Sequence, residues 1–277
     1  MKVGLVIKTD SEEALKLAQK VESILARHSC EPIMVDGTAK ARELDLVMVF
    51  GGDGTLLYAA SLVGELGIPI LGVKIGGLGF LTEVKEQELF DMIEKAVCQN
   101  LSTEDRMLLK AQVASVGATG RSPVLGDASY IALNDIAIGK AIFSRMVDID
   151  VRVDGFELAT MRADGIIVCT PTGSTGYCLA ANGPIVHPAV SAMIIVPICA
   201  HSLTWKPLVI PAHSRIAIKI DSKGGDAHLI ADGRLGRKIK DTDVIEITRA
   251  EKPLRLVTSP SMNYYEILRT KLGWGWK

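Results

Sequence analysis

The part of the chain best suited to chemistry is the segment Gly51-Gly52-Asp53-Gly54-Thr55, which lies between an apolar run and a stretch with helical spacing. Glycines at such a junction let backbone N–H groups approach a phosphate, and the N-terminus of the following helix adds positive potential. A carboxylate beside phosphates is unfavourable unless it accepts a proton from a hydroxyl, orients that hydroxyl, or holds Mg²⁺ against the phosphates. A tight Asp-Gly turn with Thr55 as the helix cap is the structural alternative, which this motif alone leaves open.

A second glycine-rich stretch, residues 74–82, follows the next apolar run and reads Lys-Ile-Gly-Gly-Leu-Gly-Phe-Leu-Thr. Two such loops at neighbouring strand ends could line one cleft, because ligands of open α/β sheets bind beyond the carboxyl ends of the strands. The alternative is a flexible connection that leads to Phe80 and Leu81 as core residues.

The polar pair Asn134-Asp135 interrupts a β run between Leu133 and Ile136. Polar side chains in such a position are costly to bury unless they are hydrogen-bonded. The carboxylate could accept both hydroxyls of a ribose diol, and the amide could bind a base edge or a second ribose. A β-bulge or a turn explains the same residues without any ligand.

A third polar cluster follows Arg162, Asp164 and an apolar strand, where residues 170–177 read Thr-Pro-Thr-Gly-Ser-Thr-Gly-Tyr. Hydroxyls and backbone amides can bind a sugar or an adenine edge, and Tyr177 offers a stacking face. A capped helix start is the alternative, although a cap needs only one of these hydroxyls.

The remaining candidate, Asp232-Gly233-Arg234, predicts first a hairpin turn, from which Asp232 or Arg234 could reach a ligand. The sequence contains no HExxH, no Gly-x-Ser-x-Gly and no Cys/His spacing typical of a metal site. We therefore expect neither histidine-based catalysis nor a set of protein metal ligands.

The elements that must position these residues fall into two regions. Over the first hundred residues, apolar strands alternate with helices, which predicts a parallel α/β sheet with right-handed crossovers. Residues 44–50 suit a central strand covered on both faces, and residues 55–66 have the pattern of a helix. After about residue 105, short β runs separated by turn signals predict a largely antiparallel sandwich or layered domain. Residues 264–272 have helical spacing and should pack back onto the first domain.

Composition narrows the class of protein. The chain has 277 residues, of which 48% are hydrophobic and 23% charged, as in globular proteins of about two domains. A net charge of −1 argues against non-specific nucleic-acid binding, and the longest apolar stretch, residues 189–200, is too short to span a membrane. The five cysteines form no CxxC pair. We expect a cytoplasmic protein with no membrane or nucleic-acid partner.

Taken together and in order, the motifs resemble the NAD kinase family over nearly the whole chain. Gly-Gly-Asp-Gly-Thr is shared with lipid kinases, whereas its combination with Asn-Asp and Thr-Pro-Thr-Gly-Ser-Thr-Gly-Tyr is typical of NAD kinases. The remaining segments of the resemblance are Leu78-Gly79-Phe80-Leu81-Thr82, Asp164-Gly165, His201-Ser202-Leu203, Asp232-Gly233 and Arg269-Thr270-Lys271-Leu272-Gly273-Trp274.

The resemblance implies a Rossmann-like parallel α/β N-terminal domain (residues 1–104), a C-terminal β-rich, layered-sandwich NAD-binding domain (105–258) and an active site between them. The tail, residues 259–277, is expected to return to the N-terminal domain. The implied reaction transfers the γ-phosphoryl group of ATP, with Mg²⁺ or another divalent metal, to the 2′-hydroxyl of the adenosine ribose of NAD, giving NADP. A homodimer or homotetramer is also implied, because several NAD contacts in the family cross between subunits.

Roles for individual residues follow from the same resemblance. Asp53 takes or orients the proton of the 2′-hydroxyl, while Gly51, Gly52, Gly54 and Thr55 face the donor phosphates. No protein residue is assigned to the metal. The implied NAD-binding residues are Asp53, Gly54, Phe80, Asn134, Asp135, Arg162, Asp164, Thr172, Thr175, Gly176, Tyr177 and Asp232.

Three positions depart from the family pattern, and two other functions remain open. Lys206 stands where the family usually has Arg, Arg234 where Gln is commoner, and Gly176 where Ala is frequent, which leaves the donor and the strength of each contact undecided. A lipid kinase of the diacylglycerol or sphingosine type would need an apolar acyl channel, which the hydroxyl-rich loop does not suit. A non-catalytic NAD-binding protein would have no use for Asp53 beside phosphates.

Overall fold

The computed structural model describes residues 1–35, 37, 41–77, 79–115, 124–141 and 145–275. The described strands are β1 (Lys2–Ile7), β2 (Glu31–Met34), β3 (Leu46–Gly51), β4 (Ile70–Lys74), β5 (Thr103–Arg106), β6 (Leu109–Ser115), β7 (Val124–Ala132), β8 (Asp135–Lys140), β9 (Val147–Val153), β10 (Phe156–Ala163), β11 (Gly165–Cys169), β12 (Ala192–Ile198), β13 (Leu208–Pro211), β14 (Ile216–Asp221), β15 (Ala227–Ala231), β16 (Arg234–Ile239), β17 (Asp243–Arg249) and β18 (Leu254–Val257). The described α-helices are α1 (Glu12–Arg27), α2 (Asp53–Val63), α3 (Leu89–Val97), α4 (Tyr177–Ala180) and α5 (Tyr264–Leu272).

The chain divides into two compact units, the first made of residues 1–106 and 252–277 and the second of residues 107–251. These limits differ from the boundaries expected from the sequence, 104/105 and 258/259. Residues 252–258 belong to the first unit because β18 pairs with β4 and β5 rather than with a strand of the second unit. The apolar pattern of β18 indicated a strand but did not indicate its neighbours.

The first unit is a six-stranded sheet in the order β2-β1-β3-β4-β18-β5. Its strands are parallel except for β5, which runs antiparallel to β18. β3 is buried along its whole length, because α1 and α3 cover one face of the sheet and α2 covers the other. The predicted parallel α/β domain is confirmed, and the carboxyl ends of β1, β3 and β4 meet at one edge.

The second unit consists of two six-stranded antiparallel sheets, in the orders β10-β9-β14-β17-β6-β7 and β13-β12-β11-β8-β15-β16. Apolar residues of both sheets form one core, with side chains such as Ile149, Ile166 and Ile218 fully buried. Along β9, buried and more exposed residues alternate, as expected for a sheet with one face on a core. The predicted β-rich sandwich is confirmed.

β11 departs from this alternation, because all five of its residues are buried. Its second face is covered by α4 and the chain around it, which pack Cys178 and Ala181 against Ile167. The 170–177 loop, which follows β11, is therefore anchored on a strand that is covered on both sides.

The longest helix in the described part of the chain, α1, has 16 residues and places charged side chains on its outer face. No helix among the described residues is long and apolar enough to cross a membrane.

Candidate functional site

Asp53 is the first residue of α2 and comes directly after the buried strand β3. Its Oδ2 accepts a hydrogen bond from the backbone N–H of Phe80 at 2.9 Å, and its Oδ1 accepts one from the N–H of Leu81 at 3.0 Å. Each carboxylate oxygen has two lone pairs, so these two bonds leave one acceptor position on each oxygen. The half-buried carboxylate is thus held in place and can still accept a further hydrogen bond.

The second glycine-rich stretch is the segment that holds Asp53. A Cβ atom on Gly79 would overlap Oδ1 of Asp53 and would lie 2.5 Å from Oγ1 of Thr82. Leu81 is a core residue, as the structural alternative supposed, but its N–H and that of Phe80 also bind the carboxylate. The two loops therefore lie side by side in this unit, while Leu78 of the same motif lies outside the described residues.

The segment 51–55 begins α2 without a side-chain cap. The N-cap is Gly52, whose carbonyl accepts the N–H groups of Thr55 and Leu56 at 3.0 and 3.2 Å. Thr55 is therefore not the cap, and the helix predicted from residue 55 begins at residue 53. The N–H groups of Asp53 and Gly54 have no hydrogen-bond partner among the described residues, so both are free to bind an anion.

Two lysines flank this segment, and the sequence reasoning missed both. Gly51 pairs with Lys74 in the parallel register of β3 and β4, and a Cβ on Gly51 would lie 3.3 Å from Cβ of Lys8. Lys8, Gly51 and Lys74 thus form one row across β1, β3 and β4, and neither lysine forms an ion pair within the described ranges. The available signal was that each lysine stands where an apolar strand ends.

A third lysine of the first unit lies near Phe80. The Nζ atom of Lys271, in α5, is 5.6 Å from the centroid of the Phe80 ring. This places one residue of the closing Arg-Thr-Lys-Leu-Gly-Trp segment beside the loop that holds Asp53.

In the second unit, Asn134 lies where the chain passes from β7 in one sheet to β8 in the other. The backbone bends at residues 133–134, as expected if the polar pair marks a turn. Oδ1 of Asn134 is buried and has no hydrogen-bond partner within the described part of the chain. Asp135 is only 5% exposed, and its carboxylate likewise has no partner among those residues. Buried polar atoms are normally paired, so these side chains are suited to receiving a ligand.

Asp232, in the turn between β15 and β16, binds the backbone of this segment. Its Oδ2 accepts the N–H of Leu133 at 2.8 Å, and its Oδ1 accepts the N–H groups of Asn134 and Asp135 at 2.7 and 3.1 Å. The predicted hairpin turn is present, and the side chain of Asp232 points to the protein backbone.

The charge of Asp232 affects the ionisation of the buried Asp135 carboxylate. Burial, together with the charge of Asp232, raises the pKa of Asp135 to about 7. Burial also raises the pKa of Asp232, although its three N–H donors favour the ionised form. Burial and the nearby carboxylates of Asp135 and Asp164 raise the pKa of Tyr177, which lies in electrostatic reach of both.

The hydroxyl-rich loop 170–177 uses part of its hydroxyl set for its own structure. The Thr170 hydroxyl donates to the Leu133 carbonyl at 2.6 Å, and that of Ser174 donates to the Pro171 carbonyl at 2.6 Å. A Cβ on Gly173 would overlap the carbonyl oxygen of Asn134, so the loop packs directly on the Asn-Asp segment. No side chain caps α4, but the Thr170 hydroxyl accepts the N–H of Gly173 at 3.0 Å where the 3-10 turn Thr172–Thr175 begins, so the capped-start alternative accounts for one of the hydroxyls.

Arg162 and Asp164 lie at the end of β10 and just after it. Nε of Arg162 is 3.2 Å from Oδ1 of Asp148, and Oδ1 of Asp164 is 2.8 Å from Nζ of Lys140. Asp164 and Tyr177 therefore join Asn134 and Asp135 in one polar region of the second unit, whereas the guanidinium of Arg162 is directed to Asp148.

Comparison with known proteins gives matches over both units. A family model of the ATP-NAD kinase N-terminal domain matches residues 37–100, and one of the ATP-NAD kinase C-terminal domain matches residues 133–259. The NAD kinase of Geotalea daltonii is 41% identical over 289 aligned positions, covering 99% of each chain. The NAD kinase of Geobacter metallireducens is 47% identical over 231 positions, covering 83% of this chain and 79% of that protein.

Two solved structures share the fold. An NAD kinase from Archaeoglobus fulgidus in complex with ATP has a TM-score of 0.76 and 27% identity, covering 99% of this chain and 98% of that one. Yeast NADH kinase complexed with NADH has a TM-score of 0.88 at 22% identity, over 100% of this chain and 88% of the yeast chain. Neither a lipid kinase nor a non-catalytic NAD-binding protein is favoured by these matches.

Proposed function

The chain belongs to the NAD kinase family, whose members are phosphotransferases with an alcohol group as acceptor, and we propose from this membership which residues bind each substrate and which act on the reacting atoms. The reaction is phosphorylation of NAD at the 2′-hydroxyl of its adenosine ribose, which yields NADP. We propose ATP as the donor, a choice supported by the ATP complex of the Archaeoglobus relative. The assignment of residues rests mainly on the geometry of Asp53, whose carboxylate is held in place beside the free N–H groups at the start of α2.

The donor phosphates are assigned to the segment Gly51, Gly52, Gly54 and Thr55. The free N–H groups at the start of α2 and the helix dipole favour a phosphate there. A triphosphate also needs more positive charge than one helix N-terminus supplies. Lys8 and Lys74 provide it in this proposal, because they flank Gly51 and have no carboxylate partner within the described ranges.

Asp53 is assigned to the 2′-hydroxyl of NAD. One of its two remaining acceptor positions can take the hydroxyl hydrogen and so orient the oxygen for attack on the γ-phosphorus. A carboxylate is a weak base towards an alcohol, but phosphoryl transfer has a loose transition state in which positioning and charge neutralisation dominate. Asp53 then accepts the proton as the new P–O bond forms and the bond to the leaving ADP breaks.

A divalent metal fits this arrangement as part of the donor. Within the described residues, no cluster of three or more His, Cys, Asp or Glu side chains could hold a metal ion. Mg²⁺ in such sites is commonly held by one or two carboxylates, substrate phosphates and water. Asp53 can serve as that carboxylate through the acceptor position that the 2′-hydroxyl does not use. The ion would supply neutralisation of the phosphate charge.

NAD binding is assigned mainly to the second unit. The unpartnered Asn134 amide oxygen and Asp135 carboxylate are the strongest support, because a ribose or base would satisfy both. The further residues of this assignment are Asp53, Gly54, Phe80, Arg162, Asp164, Thr172, Thr175, Gly176 and Tyr177. The sequence also predicted a direct contact of Asp232 with NAD, but the proposal leaves this contact out because the Asp232 carboxylate already accepts three backbone N–H groups.

The proposal includes a cytoplasmic homodimer or homotetramer. All five cysteines are free, which suits a reducing compartment. Assembly rests on the family resemblance, and analytical ultracentrifugation of the full chain at micromolar concentration tests it. A single monomeric species would refute this part of the proposal without touching the reaction.

A coupled assay tests the reaction and the role of Asp53 together. The purified protein receives ATP, Mg²⁺ and NAD, and an NADP-specific dehydrogenase reports the product. We expect NADP formation, and we expect Asp53→Asn to lower kcat at least about a hundredfold while NAD and ATP still bind. An Asp53→Asn protein of near-normal turnover would remove Asp53 from the mechanism. NAD binding without NADP formation, from any donor, would contradict the proposed reaction.

A further inference from the structure

Asp232 uses three of the four acceptor positions of its carboxylate for the backbone of the second unit. Three consecutive backbone N–H groups, those of Leu133, Asn134 and Asp135, converge on its two carboxylate oxygens at 2.7 to 3.1 Å. In return, the N–H of Asp232 donates to the carbonyl of Asp135 at 3.0 Å. The segment where the chain changes sheets is therefore tied to the β15–β16 turn by four hydrogen bonds.

The backbone of Asp232 adopts an unfavourable conformation in forming these hydrogen bonds. Asp232 has a φ of +48°, a conformation that non-glycine residues rarely adopt, and Gly233 follows with a φ of +74°. An Asp-Gly turn of the same kind joins β9 and β10, where Asp154 has a φ of +53° and accepts the N–H of Arg215 at 2.7 Å. Asp154 binds one N–H at an exposed turn, whereas Asp232 binds three beside the candidate NAD-binding residues.

The consequence for the neighbouring side chains is that they stay free. Without Asp232 these backbone N–H groups would need other acceptors, and Asn and Asp side chains readily accept from N–H groups of their own segment. With Asp232 present, the Asn134 amide oxygen and the Asp135 carboxylate have no partner within the described residues. Asp232 thus holds the backbone from which both side chains project, and it satisfies N–H groups that could otherwise occupy their acceptor atoms.

We propose that Asp232 is a positioning residue for NAD: it holds the backbone of residues 133–135 so that Asn134 and Asp135 meet the dinucleotide, and it does not contact NAD itself. This inference rests on the proposed function, because it presupposes that Asn134 and Asp135 bind NAD. It replaces the direct contact that the sequence predicted for Asp232.

The charge of Asp232 has a second effect, on the pH range of NAD binding. The titratable groups that face Asp135 are Asp232 from the β15–β16 turn, Cys169 from β11, and Tyr177 and Cys178 from α4. A ribose diol donates to an ionised carboxylate, so the KM for NAD should rise as the pH falls below about 7, where Asp135 takes up a proton. Without the negative charge of Asp232, that rise should begin at lower pH.

The experiment compares Asp232→Asn and Asp232→Ala with the wild type, using Asp154→Asn as the matched control. KM for NAD, KM for ATP, kcat and the Kd for NAD by calorimetry are measured from pH 5.5 to 9. We expect Asp232→Asn, which keeps one acceptor oxygen, to raise the KM and Kd for NAD about tenfold, and Asp232→Ala to raise them further. The KM for ATP should change less than threefold.

The pH profile separates positioning from general loss of stability. Both Asp232 variants lack the charge, so both should shift the acid limb of the KM for NAD to lower pH by about one unit. Asp154→Asn should lower the melting temperature without moving either quantity. If Asp232→Ala does not fold, the asparagine variant alone gives both readouts.

Three results would overturn the inference. These are an unchanged Kd for NAD in Asp232→Asn, equal losses of ATP and NAD affinity, or an Asp154→Asn variant with the same NAD defect. A wild type that binds NAD but forms no NADP would contradict the proposed reaction and leave the Kd comparison valid. A wild type that does not bind NAD would contradict both.

Discussion

The backbone N–H of Phe80 donates to Oδ2 of Asp53 at 2.9 Å, although the two residues are 27 positions apart. The direction of the carboxylate is therefore set by a loop from the next strand rather than by the helix on which Asp53 lies. This relationship makes the second glycine-rich segment as important for the reaction as the first.

Gly79 is the position where this relationship can be broken without touching Asp53. The methyl group of Gly79→Ala would overlap the carboxylate, so we expect kcat to fall at least about a hundredfold and the free energy of unfolding to fall by about 1–3 kcal/mol. Gly77→Ala is the matched control, because a Cβ there meets no atom within 4 Å. Steady-state kinetics and urea unfolding of both variants test the prediction, which a fully active Gly79→Ala would contradict.

Lys74 is expected to act on the donor and not on NAD. Lys74→Met removes a positive charge beside Gly51, so the KM for ATP should rise about tenfold, or ~1.4 kcal/mol, with the KM for NAD within twofold. The effect should shrink with added salt, because the interaction is electrostatic. Lys95→Met, at an exposed position of α3, should change neither constant. A rise confined to the KM for NAD would contradict the prediction, because it would show that Lys74 acts on NAD and not on ATP.

Asp135 should make stability depend on pH. Its pKa in the folded protein is about 7, against 3.8 in the absence of burial, so the folded state binds the proton more tightly. The stabilisation is complete below about pH 4 and is lost as the pH rises to about 7. Relative to the wild type, Asp135→Asn should therefore gain up to about 4 kcal/mol in the free energy of unfolding between pH 4 and pH 8. Urea unfolding at both pH values measures this change, and a constant difference between the two proteins would refute it.

The packing of the hydroxyl-rich loop on Asn134 should not tolerate a side chain at Gly173. Gly173→Ala would place a methyl group on the Asn134 carbonyl, so we expect a loss of about 2–3 kcal/mol in stability and a much weaker Kd for NAD. Gly176→Ala should change stability by no more than about 1 kcal/mol, because a Cβ there would lie 3.3 Å from the Gly173 carbonyl oxygen, a contact that a small shift relieves. Thermal unfolding and NAD calorimetry compare the two, and similar stabilities would show that the loop can move away.

The sequence was sufficient for features that depend on local pattern. The apolar run 44–50 predicted a buried strand, and its junction with the glycines correctly placed Asp53 beyond the carboxyl end of that strand. The turn residues after residue 105 predicted antiparallel strands, which the second unit contains. Periodicity and turn chemistry are properties of neighbouring residues, so they can be read along the chain.

Features that depend on distant partners could not be predicted in this way. Asp232 accepts N–H groups from residues 97 to 99 positions away, whereas the local sequence around it indicates only a hairpin turn. The hydroxyls of Thr170 and Ser174 had the composition of a ligand-binding loop, yet both bind backbone carbonyls. The side-chain types were recognised correctly, but which partner satisfies each polar group is decided by tertiary packing.

The strand order of the first unit has a consequence for how the chain is synthesised and folded. Among the described strands, β5 is hydrogen-bonded only to β18, and about 150 residues, which include all the described strands of the second unit, separate the two. On the ribosome, residues 107–251 can form both of their sheets before β18, the partner of β5, has been synthesised. Domains generally fold as units in the order in which they emerge. The first unit, although most of its residues precede the second unit, is thus the last to close, and nascent chains halted before residue 254 should contain a folded second unit and an open first sheet.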